Sequence, residues 1–389
     1  MTSYQYQPVA FAYGSGAWLT DMNGQRYLDA LSGIAVCGLG HAHPVVTQAI
    51  AHQAGQLLHT SNLYHIPLQE KLAERLTSLA GMDKVFFCNS GAEANEAAIK
   101  IARLYGHTKN IKEPEIIVAH KSFHGRTLAT LSATGNDKLR AGFEPLVQGF
   151  VHVPYNRVDV VTAAQKASAN VVAVMLEPIQ GEGGVIIPDE GYLRAVRNIC
   201  NDCGLLLILD EVQTGMCRTG RWFAFQYEHI IPDILTLAKA LGNGVPIGAC
   251  LARGEAAELI RPGKHGSTFG GNPLASRAAL AVLDVLEGQK LDRRAAQLGE
   301  SMLDGFRAGL KGVKGVVAVR GLGMMFGIEL DRDCAELVEM ALSQHLLINV
   351  TSDNVVRILP PLIISDAEAA QIVDTVCRLV RNFLAREGP

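Results

Sequence analysis

Five short, almost continuously apolar runs alternate with helical patterns through the middle of the chain, and this alternation limits the possible folds more than any other feature. The runs occupy residues 85–88, 115–119, 171–177, 205–210 and 247–252. Because apolar and polar residues do not alternate within them, they are typical of strands buried on both faces of a parallel sheet. Helical patterns at 93–105 and 192–203 lie between the runs. The order predicts a three-layer α/β/α sandwich.

The pattern changes after about residue 272. Long helical segments then dominate, with strands predicted at 316–320, 324–330 and 355–359, which is typical of a smaller α+β domain. A chain of 389 residues is also too long for one ordinary hydrophobic core. We therefore predict that an N-terminal segment (1–50) contributes to the small domain, that a large α/β domain spans 51–272, and that the rest of the small domain spans 273–389.

Composition excludes several classes of protein. Charged residues make up 19% of the chain and the formal net charge is -3, without a block of basic residues, so a nucleic-acid partner is not expected. The apolar runs are far shorter than the ~20 residues of a membrane span, and the N-terminus lacks a secretory pattern. The sequence predicts a cytoplasmic protein without a metal site. The Cys200/Cys203 pair lacks a second ligand pair nearby, which favours a structural role.

The first candidate site is the turn Asn89-Ser90-Gly91-Ala92-Glu93, which follows an apolar run and opens a helical pattern. Ser90 and Glu93 have the spacing of a capping box. Free N–H groups at a helix start bind anions, and a glycine there lets a phosphate come close. An ordinary capped helix would have the same sequence, so this turn alone is ambiguous.

The second candidate is Asp210, which ends the apolar run 205–210. Open α/β sheets bind ligands at the carboxyl ends of their strands, where this carboxylate is expected to lie. An apolar run followed by Asp-Glu also occurs in the Walker B strand of ATPases. That alternative requires an upstream G-x-x-x-x-G-K-[ST] motif, and none occurs. Asp210 and Glu211 should point to opposite faces, which argues against a metal pair.

The third candidate is Lys239, which lies in the apolar run 235–241 before a glycine-rich loop. A lysine in apolar surroundings tends to have a lowered pKa, which is what an amine that forms a Schiff base requires. A surface lysine extending along a helix is the alternative. The run alone does not decide between the two.

The three candidates fit one chemistry. Pyridoxal 5'-phosphate requires an amine that bonds to its aldehyde, a carboxylate that keeps its pyridine nitrogen protonated, and an anion site for its phosphate. Lys239, Asp210 and the turn at 90–92 provide one each. We therefore predict this cofactor, with Lys239 and Asp210 as catalytic residues and Ser90, Gly91 and Ala92 at the phosphate.

At this point the chain resembles the class III (ω-amino acid) aminotransferases of PLP fold type I, over essentially its whole length. The matching segments are LDA (28–30), GLGH (38–41), NSGAEANE (89–96), SFHGRT (122–127), EPIQGEGG (177–184), DEVQTG (210–215), AK (238–239) and HGSTFGGNP (265–273). Dispersed motifs in this order make the resemblance specific.

The resemblance implies further roles. Phe123 is expected to stack on the pyridine ring, with Val212 and Gln213 also at the cofactor and Gln213 near its phenolic oxygen. Ser267 and Thr268 are expected to reach the phosphate of the neighbouring subunit's cofactor, which implies a homodimer with shared active sites.

Three charged residues are assigned to substrate in the same way. Arg126 is expected to hold the substrate carboxylate that is remote from the reacting amine. Arg357 is expected to bind the α-carboxylate of glutamate or 2-oxoglutarate, with Glu182 as its switchable partner.

The reaction that the resemblance implies is transamination of N-acetylornithine with 2-oxoglutarate, which gives N-acetylglutamate 5-semialdehyde and glutamate. Succinylornithine, N-succinyl-diaminopimelate, ornithine and 4-aminobutyrate remain alternative amine donors, because the motifs do not separate them. A binding protein of the same fold without activity is disfavoured, because every expected catalytic position is filled.

Overall fold

The computed structural model describes residues 1, 3 and 6–386. The strands are β1 (Phe11–Ser15), β2 (Trp18–Asp21), β3 (Arg26–Asp29), β4 (Lys84–Cys88), β5 (Glu115–Ala119), β6 (Phe150–Val153), β7 (Val171–Leu176), β8 (Leu206–Asp210), β9 (Ile234–Leu237), β10 (Gly248–Ala252), β11 (Val316–Leu322), β12 (Met325–Leu330), β13 (Leu346–Leu347), β14 (Asn349–Thr351) and β15 (Val355–Ile358).

The helices are α1 (Ser32–Ala35), α2 (Pro44–Ala54), α3 (Pro67–Ala80), α4 (Gly91–Thr108), α5 (Leu128–Ala133), α6 (Asp137–Arg140), α7 (Val158–Ala167), α8 (Tyr192–Cys203), α9 (Pro273–Gly288), α10 (Leu291–Leu310), α11 (Glu336–Ser343) and α12 (Asp366–Leu384). Short 3-10 helices span Ala224–Glu228, Lys239–Leu241 and Gly254–Glu258.

The largest sheet has seven strands in the order β4-β10-β9-β8-β7-β5-β6. The five strands from β9 to β6 are parallel, whereas β10 runs antiparallel to both β4 and β9. All five predicted runs are strands of this sheet. The expectation of a purely parallel sheet is wrong at β10, and β6 and β9 were not among the predicted strands. A strand between two oppositely directed neighbours has the same apolar composition as a parallel one, so the sequence does not reveal its direction.

The sheet is buried on both faces. Along β7, Val174 and Leu176 join one hydrophobic cluster, whereas Ala173 and Met175 join the other. Helix α8 contributes to the first cluster and α4 to the second, so one helical layer covers each face. The alternation of neighbouring side chains along a strand produces this two-sided burial. The predicted three-layer α/β/α architecture is confirmed.

Two four-stranded sheets complete the fold. One has the order β1-β2-β3-β13, so the N-terminal strands pair with a strand from the C-terminal part of the chain. The other has the order β11-β12-β15-β14 and carries Arg357 on β15. The domain boundaries at residues 50 and 272 remain predictions. Among the described helices, none combines the length and the apolar character that a membrane span requires.

The cysteines do not form disulfides with one another. All eight fall within the described residues and are free thiols. Cys200 is buried on α8 and Cys203 is exposed at the end of the same helix, so the two thiols of the C-x-x-C segment face different surroundings.

Candidate active site

A cavity of about 420 Å³ opens at the carboxyl ends of β4, β7, β8 and β9. This is the edge of an open α/β sheet at which ligands bind. The predicted residues that line it are Ser90, Gly91, Ala92, Phe123, Arg126, Glu182, Asp210, Val212, Gln213 and Lys239. The fold therefore brings together segments that lie up to 149 positions apart, from Ser90 to Lys239.

The turn after β4 opens α4 as predicted. Ser90 caps the helix, because its hydroxyl accepts a hydrogen bond from the backbone N–H of Glu93 at 3.2 Å. The Glu93 carboxylate returns to the N–H of Asn89 at 2.5 Å, one residue earlier than a capping box predicts. At Gly91, an added Cβ would lie 2.8 Å from a methyl group of Val212. A side chain at position 91 would therefore collide with Val212, so packing against Val212 alone already requires glycine here.

Asp210 lies at the end of β8 and is 4% exposed. Its Oδ2 accepts hydrogen bonds from Asn95 Nδ2 at 2.7 Å, and it lies 2.9 Å from His124 Nδ1. Its Oδ1 accepts the N–H of Val212 at 3.0 Å. Asn95 in turn accepts from the Thr236 hydroxyl at 2.7 Å. These contacts orient the carboxylate into the cavity.

Asn95 and His124 had no predicted role, although both lie within the recognised motifs. A polar side chain at a helix position that otherwise carries alanine, as Asn95 does between Ala94 and Ala97, is the signal that could have identified the first. His124 had no such signal, because only the fold brings it to Asp210.

Lys239 follows β9 and begins a 3-10 turn with a left-handed φ of 46°. The alternative of a lysine on a surface helix is wrong, because residues 234–237 are a buried strand. Lys239 lines the cavity, and its pKa is lowered, first by burial and then by the positive charge of Arg357. Glu182, Asp210 and Glu177 act in the opposite direction. A lowered pKa leaves more of the amine unprotonated, which a nucleophile requires.

Arg357 and Glu182 form an ion pair beside the cavity. Arg357 Nη1 lies 2.8 Å from Glu182 Oε1, and Arg357 is fully buried. Its Nε donates to Asn349 Oδ1 at 3.1 Å, and Nη1 also lies 3.4 Å from Gln213 Oε1. Nη2 has no hydrogen-bond partner among the residues that the structure describes. Burial raises the pKa of Glu182, but the positive charge of Arg357 and the hydrogen bonds from Arg357 and Thr351 outweigh burial, so the pKa is lowered.

The backbone around Glu182 is held firmly. The Thr351 and Ser352 hydroxyls donate to the Glu182 carbonyl at 2.5 and 3.0 Å. Arg320 donates to the carbonyls of Gly184 and Val185 at 2.6 and 2.8 Å. Any movement of Glu182 away from Arg357 is therefore expected to be a rotation of its side chain.

Arg126 is exposed at the mouth of the cavity, with its guanidinium 5.7 Å from the centre of the Phe123 ring. Phe123 is partly buried and lines the same cavity. The guanidinium therefore lies over the Phe123 ring at the entrance.

Ser267 and Thr268 do not line the cavity. Ser267 accepts hydrogen bonds from Asn89 Nδ2 at 3.3 Å and from the N–H of Gly270 at 3.0 Å. Thr268 is exposed. The single chain thus places this pair close to the start of α4 but outside its own cavity.

The groups that line the cavity suit pyridoxal 5'-phosphate. A helix start, a buried carboxylate and an amine with a lowered pKa all face it, and these are the groups that the phosphate, the pyridine nitrogen and the aldehyde of that cofactor require. Several ring and guanidinium nitrogens are buried without a partner in the described chain, and among them are His124 Nε2 and Arg357 Nη2 at this site. Buried polar atoms normally have partners, so the unpaired Arg357 nitrogen indicates a position for an additional acceptor.

The chain is similar over nearly its whole length to a known family and to solved structures. The model of the family "Aminotransferase class-III" matches residues 2–380. Acetylornithine aminotransferase of Nitrosomonas europaea is 57% identical over 384 residues, which cover 99% of this chain and 98% of that protein. Among solved structures, ornithine aminotransferase from Toxoplasma gondii is similar with a TM-score of 0.95 at 36% identity, covering 99% of this chain and 93% of that one. Acetylornithine aminotransferase from Elizabethkingia anophelis has a TM-score of 0.88 at 34% identity, covering 98% and 96%.

Proposed function

Since this chain belongs to the class-III aminotransferase family, we propose that it transfers the δ-amino group of N-acetylornithine to 2-oxoglutarate, with pyridoxal 5'-phosphate as cofactor. The products are N-acetylglutamate 5-semialdehyde and glutamate, a step of arginine biosynthesis. The observation that carries the proposal is the convergence of Lys239, Asp210 and the start of α4 on one cavity. The relatives named acetylornithine aminotransferase support the choice of donor.

The residues that would hold the cofactor follow from their positions. Lys239 would bond to it covalently, the start of α4 at Ser90, Gly91 and Ala92 would bind its phosphate, and Asp210 would pair with its pyridine nitrogen. Phe123, Val212 and Gln213 would line the ring. When bound, the cofactor supplies an electron sink that lets a proton leave the carbon next to the amine.

Once the incoming amine has displaced it from the cofactor, the free Lys239 amine would act as the general base and acid. Its position at the cavity and its lowered pKa suit an amine that accepts a proton from the substrate carbon and returns it to the cofactor side. The Asp210 carboxylate is held by its contacts with Asn95 and His124, and its charge beside the pyridine nitrogen would oppose loss of the pyridine proton.

Three charged residues would bind the two amine donors, and two of them would distinguish between the donors. Arg126, exposed at the mouth, would bind the carboxylate far from the reacting amine in both half-reactions. With N-acetylornithine, the reacting carbon carries no carboxylate, and Glu182 neutralises Arg357. With glutamate, the Glu182 side chain would turn away so that Arg357 binds the α-carboxylate bidentately. The unpaired Nη2 of Arg357, considered within the described chain, supports this second state.

We further propose a homodimer in which Ser267 and Thr268 bind the phosphate of the partner's cofactor. Five exposed apolar side chains, which we group as an apolar patch, occur in the segment 57–64 and next to Thr268: Leu57, Leu58, Leu63, Tyr64 and Phe269. The rings of His59 and Phe269, 5.4 Å apart, bring the two segments together. Asn62 donates to the carbonyls of Ser267 and Gly270, at 3.1 and 3.0 Å, and so joins the patch to their loop. An exposed apolar patch of this kind is typical of an interface.

The free thiols support a reducing compartment, and we propose the cytoplasm.

The experiment that tests the donor is a single-turnover panel. The purified protein is loaded with pyridoxal 5'-phosphate and mixed with N-acetylornithine, succinylornithine, N-succinyl-diaminopimelate, ornithine or 4-aminobutyrate. Loss of the cofactor's absorbance band is followed in each case. N-acetylornithine should react fastest, and faster reaction of another amine would replace it as the donor.

A further inference from the structure

Glu177 is a buried carboxylate at the cavity to which the reaction outlined above gives no task. It follows β7 directly, is 6% exposed and lines the cavity. Its Oε1 accepts the backbone N–H of Phe123 at 2.9 Å, and its Oε2 accepts the N–H of Gly181 at 3.0 Å. One side chain therefore joins the segment after β5 to the segment that leads to Glu182.

The Gly181 end of this connection is tightly packed. A Cβ added to Gly181 would lie 2.3 Å from Gln213 Oε1. The same Gln213 oxygen lies 3.4 Å from Arg357 Nη1. A shift of Gly181 would consequently displace Gln213, and with it a neighbour of the Glu182–Arg357 pair. The Phe123 end fixes the backbone that carries the aromatic ring and, three residues later, Arg126.

We propose that Glu177 is a positioning residue whose two carboxylate oxygens fix the backbone of Phe123 and of the segment leading to Glu182, and so hold both side chains in place at the cavity. The inference rests on the proposed function and adds to it a residue that links Phe123, at the cofactor, to the Glu182–Arg357 pair. Protonation of Glu177 leaves one oxygen carrying a hydrogen, so one of the two N–H groups loses a full acceptor.

The surroundings place this change near neutral pH. Burial raises the pKa of Glu177 to about 7, the nearby Asp210 raises it as well, and His124 and the two backbone N–H groups lower it. Among the described residues, Lys239 and Tyr155 are further titratable groups that interact with the Glu177 charge. Above this pKa both oxygens accept hydrogen bonds, and below it the connection weakens. The Phe123 amide signal and the reaction rate of the wild type should therefore change between about pH 6 and 8, and both changes should depend on Glu177.

A nuclear magnetic resonance experiment tests the connection without turnover. The dipeptide Ser-Phe occurs once in the sequence, at Ser122-Phe123, so carbonyl-¹³C serine with ¹⁵N phenylalanine gives one amide signal from Phe123. The full-length, cofactor-loaded protein is titrated. The Phe123 amide proton should move upfield as the pH falls through about 7. In Glu177→Gln this titration should be lost. If the titration persists there, a group other than Glu177 causes it and the proposal is overturned.

Glu211→Gln is the matched control. Glu211 is also buried, burial raises its pKa to about 7, and it also accepts two backbone N–H groups, from Ala224 and Phe225 at 3.0 Å. It points away from the cavity, toward the 3-10 helix Ala224–Glu228. The Phe123 titration should survive in Glu211→Gln. Its loss in both variants would show a general effect of buried carboxylates and would overturn the specific role of Glu177.

Kinetics supply the second readout. At pH 8, Glu177→Gln should react about tenfold more slowly than wild type with both donors, because one hydrogen bond to a charged acceptor is lost. At pH 6 the two proteins should differ by less than about twofold, because wild-type Glu177 is then protonated as well. An undiminished difference at pH 6 would contradict the proposal. Since the nuclear magnetic resonance titration does not depend on which amine reacts, failure of the donor assignment would leave it unaffected.

Discussion

Replacing Glu182 with alanine should change the preference between donors and not activity in general. In the wild type, glutamate must displace Glu182 from a fully buried Arg357, across a contact of 2.8 Å. Separating a buried pair costs several kcal/mol. Because the Glu182 side chain is 33% exposed, and Asn349 and Gln213 remain near Arg357, we take about 2–3 kcal/mol, or roughly 30- to 150-fold.

Glutamate avoids this cost in Glu182→Ala, whereas N-acetylornithine meets an unneutralised Arg357 beside its cationic amine. The ratio of single-turnover rates, N-acetylornithine over glutamate, should therefore fall by roughly 30- to 150-fold. Arg357→Ala should raise that ratio, and Arg126→Ala should slow both donors. Asp353→Ala, which removes an exposed carboxylate that pairs with Lys138, is the control and should leave the ratio unchanged. Equal slowing of both donors by Glu182→Ala would refute the switch.

Three other perturbations test separate parts of the account. Asp210→Asn should retain the fold by circular dichroism but lose about a thousandfold in turnover, because an amide cannot hold the pyridine proton by charge; a loss under about tenfold would remove Asp210 from that role. A mixed dimer of Thr268→Ala and Lys239→Ala subunits should recover about a quarter or more of wild-type activity, because both lesions fall on one shared site; verified mixed dimers that stay inactive would exclude sharing. Thermal stability should decline as the pH rises through about 9. The hydrogen bond to Asp29 is the main cause that raises the pKa of His41 from 6.5 to about 9, and the stabilising protonated form is lost above that pH. His41→Gln should lack this decline, and an identical pH profile in that variant would exclude His41 as its source.

Much of the fold follows from local sequence. The run at 115–119 and the helical pattern at 192–203 match β5 and α8 in their bounds, because an apolar run or a 3.6-residue pattern expresses burial directly. Strand β9 was not predicted, because its apolar residues lead through Ala238 into Lys239 and the run at 235–241 is equally compatible with a helix. The antiparallel direction of β10 depends on chain topology, which composition does not encode.

The site residues likewise divide into those that the sequence predicts and those that only the fold reveals. Asp210 and Lys239 were predicted because a carboxylate after a buried strand and a lysine in an apolar run conflict with ordinary core composition. Asn95, His124 and Glu177 were not, since their importance lies in contacts with residues that are distant in sequence. Gly91 was expected to make room for a phosphate, yet the nearest atoms belong to Val212, a neighbour that only the fold supplies.

The central claim is that Lys239 carries the cofactor. The most direct measurement is borohydride reduction of the protein loaded with pyridoxal 5'-phosphate, followed by proteolysis and mass spectrometry of the modified peptide. The account predicts a pyridoxyl group on Lys239, and a Lys239→Ala protein in which no peptide is modified under the same conditions. A pyridoxyl group found stoichiometrically on another lysine would contradict it.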